Sequence, residues 1–227
     1  MKYTINTKTQ QPITIVFCLP GPSFSKEFLC CWSELLLWCT QNNIRPIMSS
    51  HYDAVVYYVR NKCLGGDVTK GIHQKPFDGK IPYNFLMWID NDVIFSVDNF
   101  KKLLQRNLPI ISGVYMMQNN INYATVKNWD EKKFEETGSF EFAKPSDFIS
   151  ITEPVEVDYT GFGFFLAKYG VFETLEYPWF RPIFYKFGNC YEFCSEDVGI
   201  CQLLKAKGHK IFIDPTVRVG HQKKVIL

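Results

Sequence analysis

The sequence lacks the features that mark several large classes of protein. Its 227 residues carry a formal net charge of only +2, and no run of Lys or Arg is longer than a pair, so the basic patch of a nucleic-acid-binding protein is missing. The first apolar run, residues 13–19, is too short to cross a bilayer. We therefore expect no nucleic-acid partner, no integral membrane segment and no signal sequence. The cytoplasm is the simplest location, unless the chain belongs to a longer protein.

Nothing in the sequence indicates a disulfide framework or a structural zinc site. The eight cysteines are irregularly spaced, and a chain of this length does not need the cross-links of a small secreted domain. Cys190 and Cys194 could supply half of a zinc site, but no second Cys pair or His-x-x-x-His spacing follows them. We expect reduced thiols.

Apolar residues make up 46% of the chain and aromatic residues 16%, which is enough for one continuous core. Strands are predicted at residues 13–19, 44–48, 83–89 and 110–116, and helices at 25–42, 54–64 and from 96 or 98 to 106. This alternation favours an α/β fold in which helices cover both faces of a mostly parallel sheet.

The second half of the chain is less regular. Residues 118–154 consist of polar turns and short pieces, which we interpret as an excursion from the sheet and not as a second domain. Strands are predicted again at 155–159, 164–167 and 209–214, with a helix at 196–207. We therefore expect a single domain spanning 1–227, with a first half of about 1–117 and a second half of about 118–227.

The clearest local motif is Asp90-Asn91-Asp92, which directly follows a buried apolar run. In an α/β sheet, ligands bind beyond the carboxyl ends of the strands, where this motif is predicted to lie. Two carboxylates with open coordination positions suit Mg²⁺ or Mn²⁺ bridging phosphates. The alternative is a solvated turn in which one Asp caps the following helix.

In the order of its motifs, most of the chain resembles the GT-A glycosyltransferases. The motifs are Phe17-Cys18-Leu19-Pro20 at the end of the first strand, Arg60-Asn61, Asp90-Asn91-Asp92, Thr160-Gly161-Phe162-Gly163, Glu196-Asp197 and His221. The resemblance implies a GT-A-like, Rossmann-like sheet. It also implies that Asp92 binds the metal, that Asp90 holds the ribose or the metal, and that His221 completes the metal shell. Leu19, Pro20, Arg60 and Asn91 would join Asp90 around the nucleotide-sugar.

Glu196 and Asp197 lie in the first turn of a predicted helix that opens at Ser195. They could simply complement the helix dipole while Ser195 caps the helix. The resemblance implies more, because in related inverting enzymes the Asp of such a pair takes the proton of the acceptor hydroxyl and the Glu holds the acceptor. Asp197 is then the general base and Glu196 its partner on the acceptor side.

The remaining candidates each have two interpretations. Neutral His221 would favour Mn²⁺ over Mg²⁺ as a metal ligand, or would be an exposed residue of the tail. Arg60 could meet a phosphate or solubilise its helix. Lys223 and Lys224 could close over the diphosphate or remain solvated.

Gly161, Phe162 and Gly163 could allow a sugar to approach the backbone closely, or could form a simple turn. Trp179 belongs to an aromatic stretch that could contact the sugar faces of the acceptor or pack in the core.

Together these features predict a metal-dependent hexosyl- or pentosyltransferase, with Mn²⁺ or Mg²⁺ as cofactor. Its donor would be a UDP- or GDP-sugar, its acceptor a glycan or another hydroxyl compound, and its mechanism inverting in preference to retaining. A metal-dependent nucleotidyltransferase would use the same carboxylates but needs a Gly-rich phosphate loop, for which Pro20-Gly21-Pro22 is poorly suited. A non-catalytic sugar-binding module is the third possibility. The sequence does not indicate the oligomeric state.

Overall fold

The structure is a computed structural model that describes residues 11–223. Its first part contains β1 (Ile13–Pro20), α1 (Lys26–Gln41), β2 (Ile44–His51), α2 (Val56–Cys63), β3 (Phe85–Ile89), β4 (Val93–Ile94), α3 (Val97–Arg106) and β5 (Ile110–Val114). Its second part contains β6 (Thr125–Val126), α4 (Glu131–Thr137), β7 (Val155–Val157), β8 (Tyr159–Thr160), β9 (Phe164–Lys168), β10 (Ile183–Phe187), β11 (Cys190–Cys194), α5 (Glu196–Ala206), β12 (Ile211–Arg218) and β13 (Gly220–His221).

Within residues 11–223, seven strands form one central sheet in the order β2-β1-β3-β9-β5-β12-β7. Strands β2, β1, β3, β5 and β12 run in one direction, whereas β9 and the edge strand β7 run in the other. The α/β class and the mostly parallel, GT-A-like sheet are therefore confirmed. The insertion of antiparallel β9 between β3 and β5 was not predicted.

Both faces of the sheet are buried. On β3, Leu86 and Trp88 enter one core with residues of α2 and α5, while Met87 and Ile89 enter the other with residues of α1 and α3. Successive side chains of a strand point to opposite faces, so a continuous apolar run indicates a strand that is covered on both sides. This explains why the central strands could be predicted from the sequence.

The predicted first helix is confirmed, with bounds that differ by one residue at each end. Ser25 caps α1 by accepting a hydrogen bond from the Phe28 amide at 3.0 Å. The helix buries Phe28, Trp32, Leu35 and Cys39, which recur at helical spacing. Helix α3 likewise begins at a capping box formed by Ser96 and Asn99.

The second half contains more structure than the sequence indicated. Helix α4 lies in the segment interpreted as polar turns, and it packs on the β10–β11 hairpin, which was also not predicted. An aromatic cluster holds the two together, formed by Phe134, Phe187, Trp129 and Phe140. The predicted strand at 155–159 is in fact two strands, since β7 pairs with β12 and β8 pairs with β6.

The eight cysteines are free thiols, and Cys190 and Cys194 lie at the two ends of β11. Across residues 11–223 no helix has the length and apolar character needed to cross a bilayer.

Candidate active site

The Asp-Asn-Asp motif forms a turn directly after β3, as predicted. The Asp90 amide donates to the Gly163 carbonyl at 3.0 Å, and the Val93 amide donates to the Asp90 carbonyl at 3.0 Å. The Asn91 side chain donates to the Ser23 carbonyl at 2.8 Å, which ties the turn to the loop after β1. Because Ser96 caps α3, the alternative in which the aspartates serve as helix caps is wrong.

Arg60 connects this turn to the start of α5. Its Nη2 lies 3.0 Å from Oδ2 of Asp90, and its Nε lies 3.3 Å from Oε1 of Glu196. Only 4% of Arg60 is exposed, so the interpretation of Arg60 as a solubilising residue is wrong. A buried charge must be paired, and Arg60 is paired on both sides.

The rings around Arg60 explain how a charge is accommodated in this core. The guanidinium carbon lies 5.7 Å from the ring centroids of Trp88 and Phe162, within the range of cation–π attraction. Burial by itself lowers the pKa of Arg60, but the charges of Asp90 and Glu196 outweigh it and hold the pKa above its ordinary value. Burial raises the pKa of Glu196, against the opposing effect of Arg60.

His221 is brought to the same turn by the pairing of β13 with β4, in which it lies opposite Val93. Its Nε2 is 3.0 Å from Oδ2 of Asp92, and its Nδ1 donates to the Met116 carbonyl at 3.0 Å. The hydrogen bond with Asp92 raises the pKa of His221. Since three quarters of the side chain is buried, the interpretation as an exposed tail residue is wrong.

The chemistry of this pair fits a divalent cation. With Nδ1 donating to a carbonyl, the neutral ring presents the lone pair of Nε2 to the Asp92 carboxylate, and two lone-pair atoms this close need a proton or a cation between them. Within residues 11–223 no group of three or more His, Cys, Asp and Glu could hold a metal. Asp92 and His221 would therefore share an ion with ligand oxygens. Asp90 pairs with Arg60 through Oδ2, whereas its Oδ1 has no hydrogen-bond partner among the described residues, so metal binding by Asp90 stays a prediction.

A cleft of about 240 Å³ opens beside the turn. It is lined by Pro20, Gly21, Pro22, Tyr52, Asp53, Ala54, Val56, Val59, Arg60, Asp90, Asn91 and Asp92. Leu19 was predicted to contact the nucleotide-sugar, but its side chain is buried in the core and cannot make this contact. Tyr52 and Asp53 were missed, although their position directly after β2 could have indicated them.

Asp197 is held by three hydrogen bonds within the described part of the chain. Its Oδ2 accepts from the Tyr159 hydroxyl at 2.7 Å, and its Oδ1 accepts from the Ser195 hydroxyl and, at 2.9 Å, from the Val198 amide. Ser195 is the N-cap residue of α5, as the alternative had it, but its side chain makes no capping hydrogen bond among these residues. The role of Asp197 as base stays a prediction, and so does acceptor binding by Glu196.

The two glycines near Asp90 make room for the side chain of Tyr115. A Cβ atom on Gly161 would lie 2.0 Å from Oη of Tyr115, and one on Gly163 would lie 2.8 Å from Cε1 of the same ring. The Gly163 amide donates to Oη of Tyr115 at 3.2 Å, and the ring packs edge-on against His221. The acceptor contact at these glycines stays a prediction.

Trp179 and Phe162 were also expected at the acceptor, but both belong to the core, with 0% and 1% of their surface exposed. Their aromatic character did not distinguish packing from sugar binding, and packing is the commoner use. Nζ of Lys223 donates to the Met117 carbonyl at 2.6 Å. Lys224 lies outside the described residues.

The fold is thus an α/β domain with a GT-A-like sheet, and its candidate site lies at the carboxyl ends of β1, β2 and β3. No protein-family model matches the chain, and a search of curated proteins finds no match. Among solved structures, the crystal structure of A197 from STIV is similar: it is 16% identical, the match covers 95% of this chain and 96% of that one, and the TM-score is 0.50. At this identity the likeness shows the fold alone.

Proposed function

We propose that this chain is a metal-dependent glycosyltransferase that moves a sugar from a nucleotide diphosphate to a hydroxyl acceptor. One observation carries the proposal: Arg60 pairs with Asp90 in the Asp-Asn-Asp turn and with Glu196 beside Asp197. A candidate cation pair and a candidate base therefore lie on either side of one buried arginine. Fold alone does not imply function, so the proposal rests on this arrangement of side chains.

The donor would occupy the cleft beside the turn. Tyr52, Asp53 and Asp92 line this cleft, and we expect the nucleoside near Tyr52 and Asp53 and the diphosphate near Asp92. Asp92 and His221 would hold Mn²⁺, or less readily Mg²⁺, since an imidazole ligand favours the softer ion. The ion would supply charge neutralisation for the departing diphosphate. These residues support a UDP- or GDP-sugar equally.

Asp197 would act on the acceptor. Its carboxylate accepts the proton as the acceptor oxygen bonds to the anomeric carbon, and the bond from that carbon to the diphosphate breaks with its electron pair leaving on the diphosphate. Direct displacement of this kind inverts the anomeric centre. Arg60 pairs with Glu196, the residue beside this base.

The reaction class is tested by incubating the protein with a panel of nucleotide-sugars and Mn²⁺. Slow release of a nucleoside diphosphate is the expected result, because water is a poor but mobile acceptor. Release of pyrophosphate from a nucleoside triphosphate and sugar phosphate would instead show a nucleotidyltransferase. Binding without any release, also in the presence of acceptor glycans, would show a sugar-binding module.

Metal dependence is tested separately by calorimetry of nucleoside diphosphate binding. We expect binding with Mn²⁺ and little with chelator, because phosphates beside Asp92 would otherwise meet like charge. Asp92→Ala should remove the metal dependence, whereas Asp98→Ala, which alters an exposed carboxylate paired with Lys101 on α3, should not. Equal affinity with and without chelator would show that binding does not depend on a metal.

A further inference from the structure

We infer that Tyr159 is a positioning residue for Asp197 and that its hydroxyl selects Oδ2 as the carboxylate oxygen that receives the acceptor proton. The inference rests on the proposed function, because it assigns the geometry of the base named there. Tyr159 itself would touch neither donor nor acceptor, and it acts through Asp197.

The two carboxylate oxygens of Asp197 differ in their hydrogen bonds. An ionised carboxylate offers about four lone-pair positions, two on each oxygen. Within residues 11–223, Oδ1 accepts from two donors, the Ser195 hydroxyl and the Val198 amide, while Oδ2 accepts from Tyr159 alone. The described residues thus leave one open position on Oδ2, next to the phenol. An acceptor hydroxyl that donates to Asp197 would do so there.

Tyr159 is well placed to be a permanent donor. It lies on β8, which pairs with β6 away from the cleft, and only 7% of it is exposed. Burial, and after it the charge of Asp197, holds the pKa of the phenol well above its ordinary value. The hydroxyl therefore stays protonated over the working pH range and donates throughout. A rigid donor on one oxygen orients the whole carboxylate.

A substitution that tests the hydrogen bond between Tyr159 and Asp197 must leave the other neighbours of Asp197 in place. Besides Tyr159, the titratable groups that interact with its charge are Arg60, Tyr115, Cys194, Glu196 and Cys201. Tyr159→Phe removes the hydroxyl and leaves each of these groups and the ring in place. A change in kcat in this variant, with donor binding unchanged, therefore reports the lost hydrogen bond.

The experiment compares Tyr159→Phe with Tyr83→Phe. Tyr83 is a matched control, because it is also buried and also donates its hydroxyl to a carboxylate, that of Glu173, outside the site. Steady-state kinetics of sugar transfer give kcat and the KM values for donor and acceptor, and calorimetry measures donor binding.

In Tyr159→Phe we expect kcat for sugar transfer to fall about tenfold, because the carboxylate oxygen that receives the proton loses the donor that orients it. Donor binding should not change, and Tyr83→Phe should leave kcat in place. Ser195→Ala removes a more exposed donor from Oδ1, and its loss of kcat should be smaller.

An unchanged kcat in Tyr159→Phe would overturn the inference, since the hydrogen bond would then have no effect on proton transfer. An equal fall of kcat in Tyr83→Phe would also overturn it, because the loss would then be a general effect of removing a buried hydroxyl. Failure of the proposed function is recognised separately, as wild-type protein that releases no nucleoside diphosphate from any donor.

Discussion

Under the proposed function the candidate site has a donor side, which is the turn around Asp90, and an acceptor side, which is the start of α5, and the two are built in different ways. The donor side comes from consecutive strand–helix units in the first 92 residues, because the parallel strands bring their carboxyl ends to one edge of the sheet. The acceptor side joins Tyr159 on a two-residue strand to Asp197 at the start of α5. The comparison teaches that the turn around Asp90 can be predicted from local alternation, whereas the surroundings of Asp197 depend on pairings between distant segments.

The exposed surfaces of the two sides differ as well. Strand β3 on the donor side is buried on both faces, and charge appears only where it ends. The β10–β11 hairpin, which leads into Asp197, buries Phe187 on one face but leaves Phe184, Tyr191 and Phe193 largely exposed on the other. Aromatic rings offer flat apolar surface to the C–H faces of sugars, so under the proposed function these rings are candidate contacts for an acceptor glycan.

The largest expected effect is that of removing the residue that joins the two sides. Arg60→Ala leaves Asp90 and Glu196 without a counter-charge in a largely buried site, which should lower the free energy of unfolding by about 3–5 kcal/mol. Denaturant unfolding measures this, and calorimetry should show loss of donor binding.

Arg106→Ala is the matched control for Arg60→Ala. Arg106 also pairs with two carboxylates, Asp214 and Glu153, but lies outside the site. Arg106→Ala should therefore destabilise the protein without affecting nucleoside diphosphate binding. A loss smaller than about 1 kcal/mol in Arg60→Ala would show that the two sides are not joined through this residue.

The next effect should be confined to the acceptor side. Asp197→Asn should keep donor binding but lower sugar transfer about a hundredfold or more, because the acceptor proton has no positioned destination. If Asp197 served only the helix dipole, the same change would cost about 0.3–1 kcal/mol of stability and leave turnover nearly intact. Steady-state transfer rates and donor calorimetry on the same variant distinguish these outcomes.

A smaller effect should be confined to the donor side. His221→Ala should raise the Mn²⁺ concentration needed for half-maximal donor binding about tenfold, because it removes one side chain of the candidate metal pair. His209→Ala is the control, since His209 contacts Thr174 away from the cleft. Identical Mn²⁺ dependence in His221→Ala and wild type would return His221 to a purely structural role.

The smallest effect should come from the exposed face of the hairpin. Phe184→Ser should raise KM for a glycan acceptor about threefold, since one ring contributes a fraction of the contact, while KM for the donor stays the same. Tyr169→Ser changes a similarly exposed ring outside the hairpin and should alter neither constant. Equal acceptor KM values in both variants would remove the hairpin from the acceptor side.

Prediction from the sequence succeeded where neighbouring residues decide the structure. The spacing of Phe28, Trp32, Leu35 and Cys39 indicates α1 because residues three and four apart share one face of a helix. The run that ends at Asp90 indicates a central strand in the same way, and the strand end places the Asp-Asn-Asp turn. These patterns require no knowledge of the rest of the chain.

Prediction failed where burial depended on the packing of distant segments. Trp179 and Phe162 could equally well have faced a sugar or a core, since an aromatic ring suits both. Tyr115 and Tyr159 carry no motif, and they enter the site because Gly161 leaves space for one and β8 carries the other to Asp197.

The amino-acid order alone thus specified the strand–helix alternation, the position of Asp90 and Asp92 at the end of a strand, and the start of α5 at Glu196. Tertiary structure decided that Arg60 meets Glu196 across 136 positions of the chain and that His221 meets Asp92 across 129. The physical reason is that periodicity records contacts within one or two turns, whereas these pairs exist only once the order of strands in the sheet, including antiparallel β9, is set.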